Sequence, residues 1–289
     1  MLAGSSTGPL TPRDLAARIA ARLGHAGIEN ARSEAWLFLA AATGRARAAL
    51  MAGAPEALGA EQQARLDELV RRRLAREPLA YVLGEKEFWS LRFEVGPAVL
   101  IPRPETETVV EAVLARLPDR ARPLRLLDLG VGSGCLLLAL LSELPRATGI
   151  GVDDSAAVLA IARRNAERLG LAARADFRPG HWGEGLWEFF DVIVGNPPYV
   201  AESEWDHLSP EIRDFEPTAA LVAGPDGLAA YRVLAPHCAR LLARGGVCAL
   251  EIGFGQADAV ISILKRQGLH IAGRYRDLAG IERCLVART

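Results

Sequence analysis

Residues 124–144 read LRLLDLGVGSGCLLLALLSEL. The apolar run 124–130 has the length of a buried strand, and 134–144 has that of an apolar helix. Between them lie Asp128, Gly130, Val131, Gly132, Ser133 and Gly134. Glycines in such a turn let the backbone bend tightly and approach a ligand with no Cβ in the way. A glycine loop that joins the carboxyl end of a strand to a helix N-terminus is where doubly wound sheets hold ligands. The spacing is G-x-G-x-G, one residue shorter at its end than the dinucleotide fingerprint.

The texture continues outward from this unit. Residues 148–154 (TGIGVDD) read as a strand and 156–170 as a helix. FDVIVGN (190–196) is a strand, 227–246 a helix, GVCALEIG (246–253) a strand, 256–268 a helix, and RCLVAR (283–288) a closing strand. Strands interleaved with helices of this length predict an α/β fold with a parallel, doubly wound sheet covered on both faces. The first 80 or so residues read differently, as helices alone. Thr11-Pro12 is an N-cap followed by proline, with Asp14 in the first turn and Leu15, Ile19 and Leu23 every four residues. Segments 31–44 and 61–77 follow as further helices. The arginines 71–73 in the latter are flanked by Asp67, Glu68 and Glu77 and read as a solvated helix face. Residues 87–102 alternate and read as a hairpin-like connector.

Composition bounds the function. The chain has 289 residues, half of them hydrophobic, with 34 basic and 35 acidic side chains. A large core is expected and disorder is not. Near-neutral charge argues against a protein whose main task is gripping duplex DNA. Cys135, Cys238, Cys248 and Cys284 are scattered, without metal-ligand spacing, and read as buried thiols of a reducing compartment. The N-terminal MLAGSSTGPLTPRD lacks the basic and apolar regions of a signal peptide, and no apolar run could span a bilayer. The expected location is cytoplasmic, with no membrane partner, no metal and no stable nucleic-acid partner; a monomer is expected.

Two further features point to chemistry. The second strand ends in Asp153, roughly twenty residues past the glycines, where an acid can accept from both hydroxyls of a ribose. Asp154 points the other way. The strand 190–196 runs into Asn196-Pro197-Pro198-Tyr199. Two prolines remove two N–H donors and fix two φ angles, giving a rigid corner with one amide and one aromatic ring.

The G-x-G-x-G loop resembles the S-adenosylmethionine loop of class I methyltransferases. Followed by an acidic strand end and N-P-P-Y, it resembles the amino-group methyltransferases among them. EPLAYVLGEKEFWSLRFEV (77–95), LIPRPETE (100–107) and FEPTAALVAGPDGLAAYR (215–232) narrow this to the bacterial release-factor glutamine N5-methyltransferases, the PrmC/HemK family. The resemblance runs over nearly the whole chain. It implies a helical substrate-docking domain (1–84), a β-hairpin-like linker (85–104) and a class I, Rossmann-like catalytic domain (105–289) with a mostly parallel, doubly wound sheet. It implies S-adenosylmethionine as methyl donor, S-adenosylhomocysteine as product, and class I peptide chain release factors as protein substrates, methylated at the glutamine of their Gly-Gly-Gln motif. Trp182 is placed against the adenine ring. Where the family often has an acid before that tryptophan, this chain has His181.

In this reading Asn196 and Pro197 accept from the substrate –NH2, Tyr199 lies against the flat amide, and Pro198 stiffens the corner. Asn196 also borders the cofactor. Arg103 and Glu105 either wall the glutamine pocket or pair with each other to pin the linker; Glu216 is open in the same way. Three other readings share these motifs. One is an adenine-N6 DNA methyltransferase, which presents a conjugated –NH2 to the same bracket but needs a basic groove. The others are glutamine methylation of a ribosomal protein and a non-catalytic binding protein.

Overall fold

The computed structural model describes residues 11–53 and 58–289; the start of the N-terminal segment read above, residues 1–10, lies outside them. The chain divides between Gly84 and Glu85 into two compact units.

The first unit is helical: α1 (Pro12–His25), α2 (Ala31–Thr43), α3 (Arg47–Ala52), α4 (Ala60–Leu74) and α5 (Leu79–Leu83). A reciprocal capping box starts α1: the Thr11 hydroxyl accepts from Asp14 N at 3.1 Å, and Asp14 accepts from Thr11 N at 3.1 Å. Ile19, Leu23, Phe38, Leu39, Leu66 and Val70 form the core. The arginine run is not uniformly solvated. Arg71 pairs with Glu68 in the open and Arg72 with Glu77, but Arg73 is buried and bonds Glu34 at 2.8 Å. The helix period turns Arg73 inward beside Leu66, Leu69 and Val70, where an acid from α2 neutralises it.

The second unit begins with a hairpin, β1 (Glu85–Phe88) and β2 (Leu91–Glu94). Its two-residue turn is Trp89-Ser90, with φ of 53° and 58°, left-handed values that a hairpin of this length requires and that usually select glycine or asparagine. Trp89 is tied down instead: its N–H donates to Glu107 at 2.7 Å and its indole to Glu143 at 2.9 Å. Phe88 and Phe93 meet edge to face, 6.2 Å apart, inside the core of this unit.

The main sheet has seven strands: β3 (Arg125–Leu129), β4 (Thr148–Asp153), β5 (Ala175–Pro179), β6 (Phe190–Gly195), β7 (Leu242–Glu251), β8 (His270–Arg276) and β9 (Glu282–Arg288). Their order is β5-β4-β3-β6-β7-β9-β8. Helices α6 (Glu107–Leu114), α7 (Cys135–Glu143), α8 (Ala156–Arg168), α10 (Ala229–Leu241) and α11 (Ala257–Arg266) cover it, with the short α9 (Pro210–Arg213) preceding α10. β3 to β7 are parallel, as expected. The closing strand β9 is antiparallel to β7, so the sheet is mostly parallel, as the family resemblance implies. It arrives through a hairpin from β8, whose alternation is too polar to read as a strand: as the edge strand it carries His270, Arg274 and Arg276. β7 also starts earlier, and α10 ends earlier, than the sequence pattern placed them. Helix α7 is apolar all round, and Leu136 to Leu141 are all buried. No helix among the described residues is long and apolar enough to cross a membrane. The four cysteines are free; three are buried and Cys135 is half-buried.

Candidate active site

The carboxyl ends of β3, β4 and β6 open on one cleft of about 390 Å³, within the range of small-molecule sites. Of the residues proposed from sequence, Asp128, Gly130, Val131, Gly132, Ser133, Asp153, Trp182, Asn196 and Pro198 line it. Gly134, Pro197, Tyr199, Arg103 and Glu105 are not among the residues that line it.

The glycine loop is held by its neighbour strand. Gly130 N and Val131 N both donate to the Val152 carbonyl, at 3.0 and 2.9 Å. All three glycines are left-handed, with φ of 77°, 54° and 84°. Gly134 is the N-cap of α7 and has no side chain to cap it. Asp128 supplies the missing acceptor from β3, taking the Leu137 N–H at 3.2 Å on Oδ2. Its other oxygen, Oδ1, is buried without a partner. Burial pushes the Asp128 carboxyl up to about 8, against the Leu137 bond. Asp128 is among the residues that line the cleft.

Asp153 closes β4. It accepts from Gly132 N at 3.2 Å and Ser155 N at 3.1 Å, so it braces the glycine loop and the start of α8 together. Burial raises its carboxyl above the ordinary range. It is not the helix cap: Ser155 is, accepting from Val158 N at 3.4 Å. Asp154, beside it, is exposed and also borders the cleft.

Trp182 has a left-handed φ of 52°, unusual for a bulky residue and a mark of a constrained site. Its ring lies over Gly130, where a Cβ would stand 3.3 Å from it. A larger residue at 130 would push that ring, so loop and tryptophan form one wall. His181 is exposed at the rim, edge-on to Trp182 with centroids 6.0 Å apart.

The Asn196–Tyr199 corner leaves β6, the central strand of the sheet. Asn196 Nδ2 donates to Thr106 Oγ1 at 3.3 Å. The Tyr199 hydroxyl donates to Glu251 Oε1 at 3.2 Å, and burial next to that carboxyl drives its own pKa further up. The Tyr199 carbonyl accepts from Gln256 Nε2 at 2.9 Å, and its N–H donates to the Leu221 carbonyl at 3.1 Å. The corner is thus gripped on several sides.

Of the two readings of Arg103 and Glu105, pairing with each other is not what the structure forms. Arg103 bonds Glu216 instead, and the second oxygen of Glu216 accepts from Ile101 N at 3.1 Å. Glu216 is buried, so this ion pair fastens the 100–107 segment to the 215–232 segment beside the cleft. Thr106, Glu251 and Gln256 were not singled out from sequence. Glu251 carried the one available signal, a lone acid inside the apolar run GVCALEIG. Among the described residues no group of three or more histidine, cysteine or acidic side chains could hold a metal.

Family models match two parts of the chain: the PrmC N-terminal domain at residues 14–84 and the methyltransferase small domain at 106–211. The release factor glutamine methyltransferase of Caulobacter vibrioides is 43% identical over 266 residues, covering 92% of each chain. That of Geobacter sulfurreducens is 43% identical over 267 residues, also 92% of each. That of Moorella thermoacetica is 41% identical over 280 residues, 96% of this chain and 98% of its own. Among solved structures, the hMettl16 catalytic domain, crystallised with an RNA hairpin, aligns with a TM-score of 0.57 at 15% identity, over 78% of this chain and 81% of that one. A methyltransferase from Pyrococcus furiosus aligns with 0.50 at 16%, over 75% and 95%. At such identities these two share the fold.

Proposed function

The chain belongs to the release factor glutamine methyltransferase family, and we propose from that premise that it methylates N5 of the Gly-Gly-Gln glutamine of class I peptide chain release factors. The methyl donor in this reading is S-adenosylmethionine. The carrying observation is that the glycine loop, Asp153 and Asn196 border one cleft.

The residues fit that donor. Asp128 lines the cleft beside the glycine loop, and Asp153 at the strand end suits a ribose. Trp182 offers a flat face over a glycine that leaves room for it. His181 in place of an acid leaves a backbone carbonyl to accept from the adenine amine. The sulfonium donor supplies an already reactive methyl group.

The protein's part is then alignment. A carboxamide nitrogen is a weak nucleophile because its lone pair is delocalised. Asn196 Oδ1 and the Pro197 carbonyl would accept its two N–H groups and turn the lone-pair face toward the methyl. Such positioning is worth roughly 7–11 kcal/mol of barrier. Positive charge develops on the attacking nitrogen, and the same two acceptors stabilise it where it forms. Tyr199, gripped by Glu251, Gln256 and Leu221, holds the corner from behind. A methylated amide cation loses its proton readily, so no strong base is needed. The first unit is read as the docking domain for the release factor, and the protein as a cytoplasmic monomer.

The test is mass spectrometry of a purified release factor after incubation with this protein and S-adenosylmethionine. One methyl on the Gly-Gly-Gln glutamine, absent when that glutamine is alanine, supports the reading. Asn196→Ala should nearly abolish transfer while donor binding survives. No methyl on the release factor, with donor binding intact, would overturn the substrate and turn attention to ribosomal proteins and DNA.

A further inference from the structure

Three backbone groups from two distant segments point at one buried spot. They are the N–H and C=O of Glu94, at the end of β2, and the C=O of Ser133, in the glycine loop. Asn165, fully buried on α8, meets all three. Its Oδ1 accepts from Glu94 N at 2.6 Å. Its Nδ2 donates to the Glu94 carbonyl at 3.0 Å and to the Ser133 carbonyl at 2.9 Å. The spot asks for one acceptor and two donors on a planar frame, which is the inventory of a carboxamide. Flipped by half a turn, the amide would set its oxygen against two carbonyls and its –NH2 against an N–H, so its orientation is fixed.

The same helix reaches the loop and the cleft at further points. One turn before Asn165, Ala162 packs behind Gly134: a Cβ built on that glycine would stand 3.5 Å from the Ala162 Cβ and 3.1 Å from Leu138 Cδ1. Ser155 and Val158, earlier on α8, line the cleft itself. The loop needs such support. Its three glycines hold left-handed φ values, and glycine gives up more backbone freedom than any other residue when it is fixed. A loop already held in its binding shape loses less freedom when a ligand arrives, and so binds it more tightly.

We propose that Asn165 is a positioning residue of the donor site: it fixes the glycine loop at Ser133 and ties that loop to the β1–β2 hairpin, which becomes part of the loop's frame. Naming the ligand S-adenosylmethionine rests on the functional reading above; the brace itself does not. Arg164 and Arg168, on the same helix, also grip the hairpin, pairing with Glu94 at 2.7 Å and with Glu85 at 3.7 Å. Both pairs are partly exposed and engage carboxylates, and Arg164 supplies the control.

Asn165→Asp keeps the size and the acceptor for Glu94 N–H and removes both donors. By calorimetry it should weaken S-adenosylmethionine binding about tenfold, the scale of one lost buried hydrogen bond. In turnover the donor KM should rise while kcat stays within about threefold, because the Asn196 corner is untouched. Arg164→Ala, one position away, should leave donor affinity within about twofold of wild type. Hydrogen exchange read by mass spectrometry needs no variant: S-adenosylhomocysteine should slow exchange in residues 91–95, at the far end of the brace. Unchanged donor affinity in Asn165→Asp, an equal loss in Arg164→Ala, or exchange at 91–95 indifferent to the ligand would overturn the proposal. Should Asn165→Asp not fold, the wild-type exchange decides. Should the wild type bind neither S-adenosylmethionine nor S-adenosylhomocysteine, the functional reading falls, and exchange in the free protein decides this one. Segment 130–137 should then exchange faster in Asn165→Asp than in Arg164→Ala; equal rates refute the brace.

Discussion

Gly227→Ala should cripple methyl transfer, although residue 227 does not line the cleft. Gly227 has φ of +69°, and a Cβ built there would overlap the Tyr199 carbonyl oxygen and stand 3.1 Å from the carbonyl carbon. It would also press within 2.8 Å of Gln256 Nε2, the group that donates to the same carbonyl at 2.9 Å. Two costs can be separated. The left-handed backbone costs an alanine about 1–2 kcal/mol. The overlap forces the corner to retreat by roughly 0.5–1 Å to restore ordinary contact. A displacement of that size at the reacting groups costs up to about 100-fold in rate. Gly245 is the control: its φ is +76°, but a Cβ there meets nothing within 4 Å. Single-turnover methyl transfer and thermal unfolding would be measured on both variants. Each should melt a few degrees lower, about 2–4 °C per kcal/mol for a domain of this size. Only Gly227→Ala should lose rate. Rates for Gly227→Ala within about threefold of wild type, under 1 kcal/mol of barrier, would refute the reasoning, and so would an equal loss in Gly245→Ala.

Three further outcomes are expected. Asp128, held at about 8 by burial, keeps a proton that the unfolded chain releases near pH 4. Stability from this group is therefore full below about pH 4, falls as pH rises, and levels off above about pH 8. Asp128→Asn removes that dependence, so its urea midpoint should gain on the wild type between pH 5 and 8; a constant difference would contradict the assignment. Glu34→Ala strands the buried Arg73 and should destabilise the first unit by about 3–5 kcal/mol in denaturant titrations of the full chain, against much less for exposed Glu68→Ala. Trp182→Ala removes the ring over Gly130 and should weaken S-adenosylmethionine binding about tenfold or more by calorimetry, with the fold intact by circular dichroism.

The chemistry-bearing loops were legible because each is written in consecutive residues. Gly130, Gly132 and Gly134 announce a turn, and Asn196 to Tyr199 announce a corner, whatever packs around them. The α1 cap was legible for the same reason, since Thr11 and Asp14 are three apart. What escaped was whatever depends on distant partners. Arg103 finds Glu216, 113 positions away, in place of the adjacent Glu105. Thr106 looks like an ordinary helix start until Asn196, 90 positions on, reaches it. Arg73 reads as solvated until the helix period is laid against α2. The strand β8 escaped because an edge strand need not be apolar, and its hairpin turned the last strand antiparallel.

The loops discussed here leave β3, β6 and β7, which lie side by side in the middle of the sheet. Asp128 is in register with Val194, and Val194 with Ala249, two residues before Glu251. The backbone ladder therefore works as a measuring rule. Across the sheet, donor loop and bracket stand one interstrand spacing apart, about 4.8 Å; along the strands a slip of one residue, about 3.3 Å, would turn every buried side chain to the wrong face, so neither distance adjusts gradually. In this chain these parts have no freedom to move with respect to each other without breaking the ladder. Adjustment of the cleft to a substrate is left to the rim segments, 97–104 and 201–227, which belong to no strand of the seven-stranded sheet.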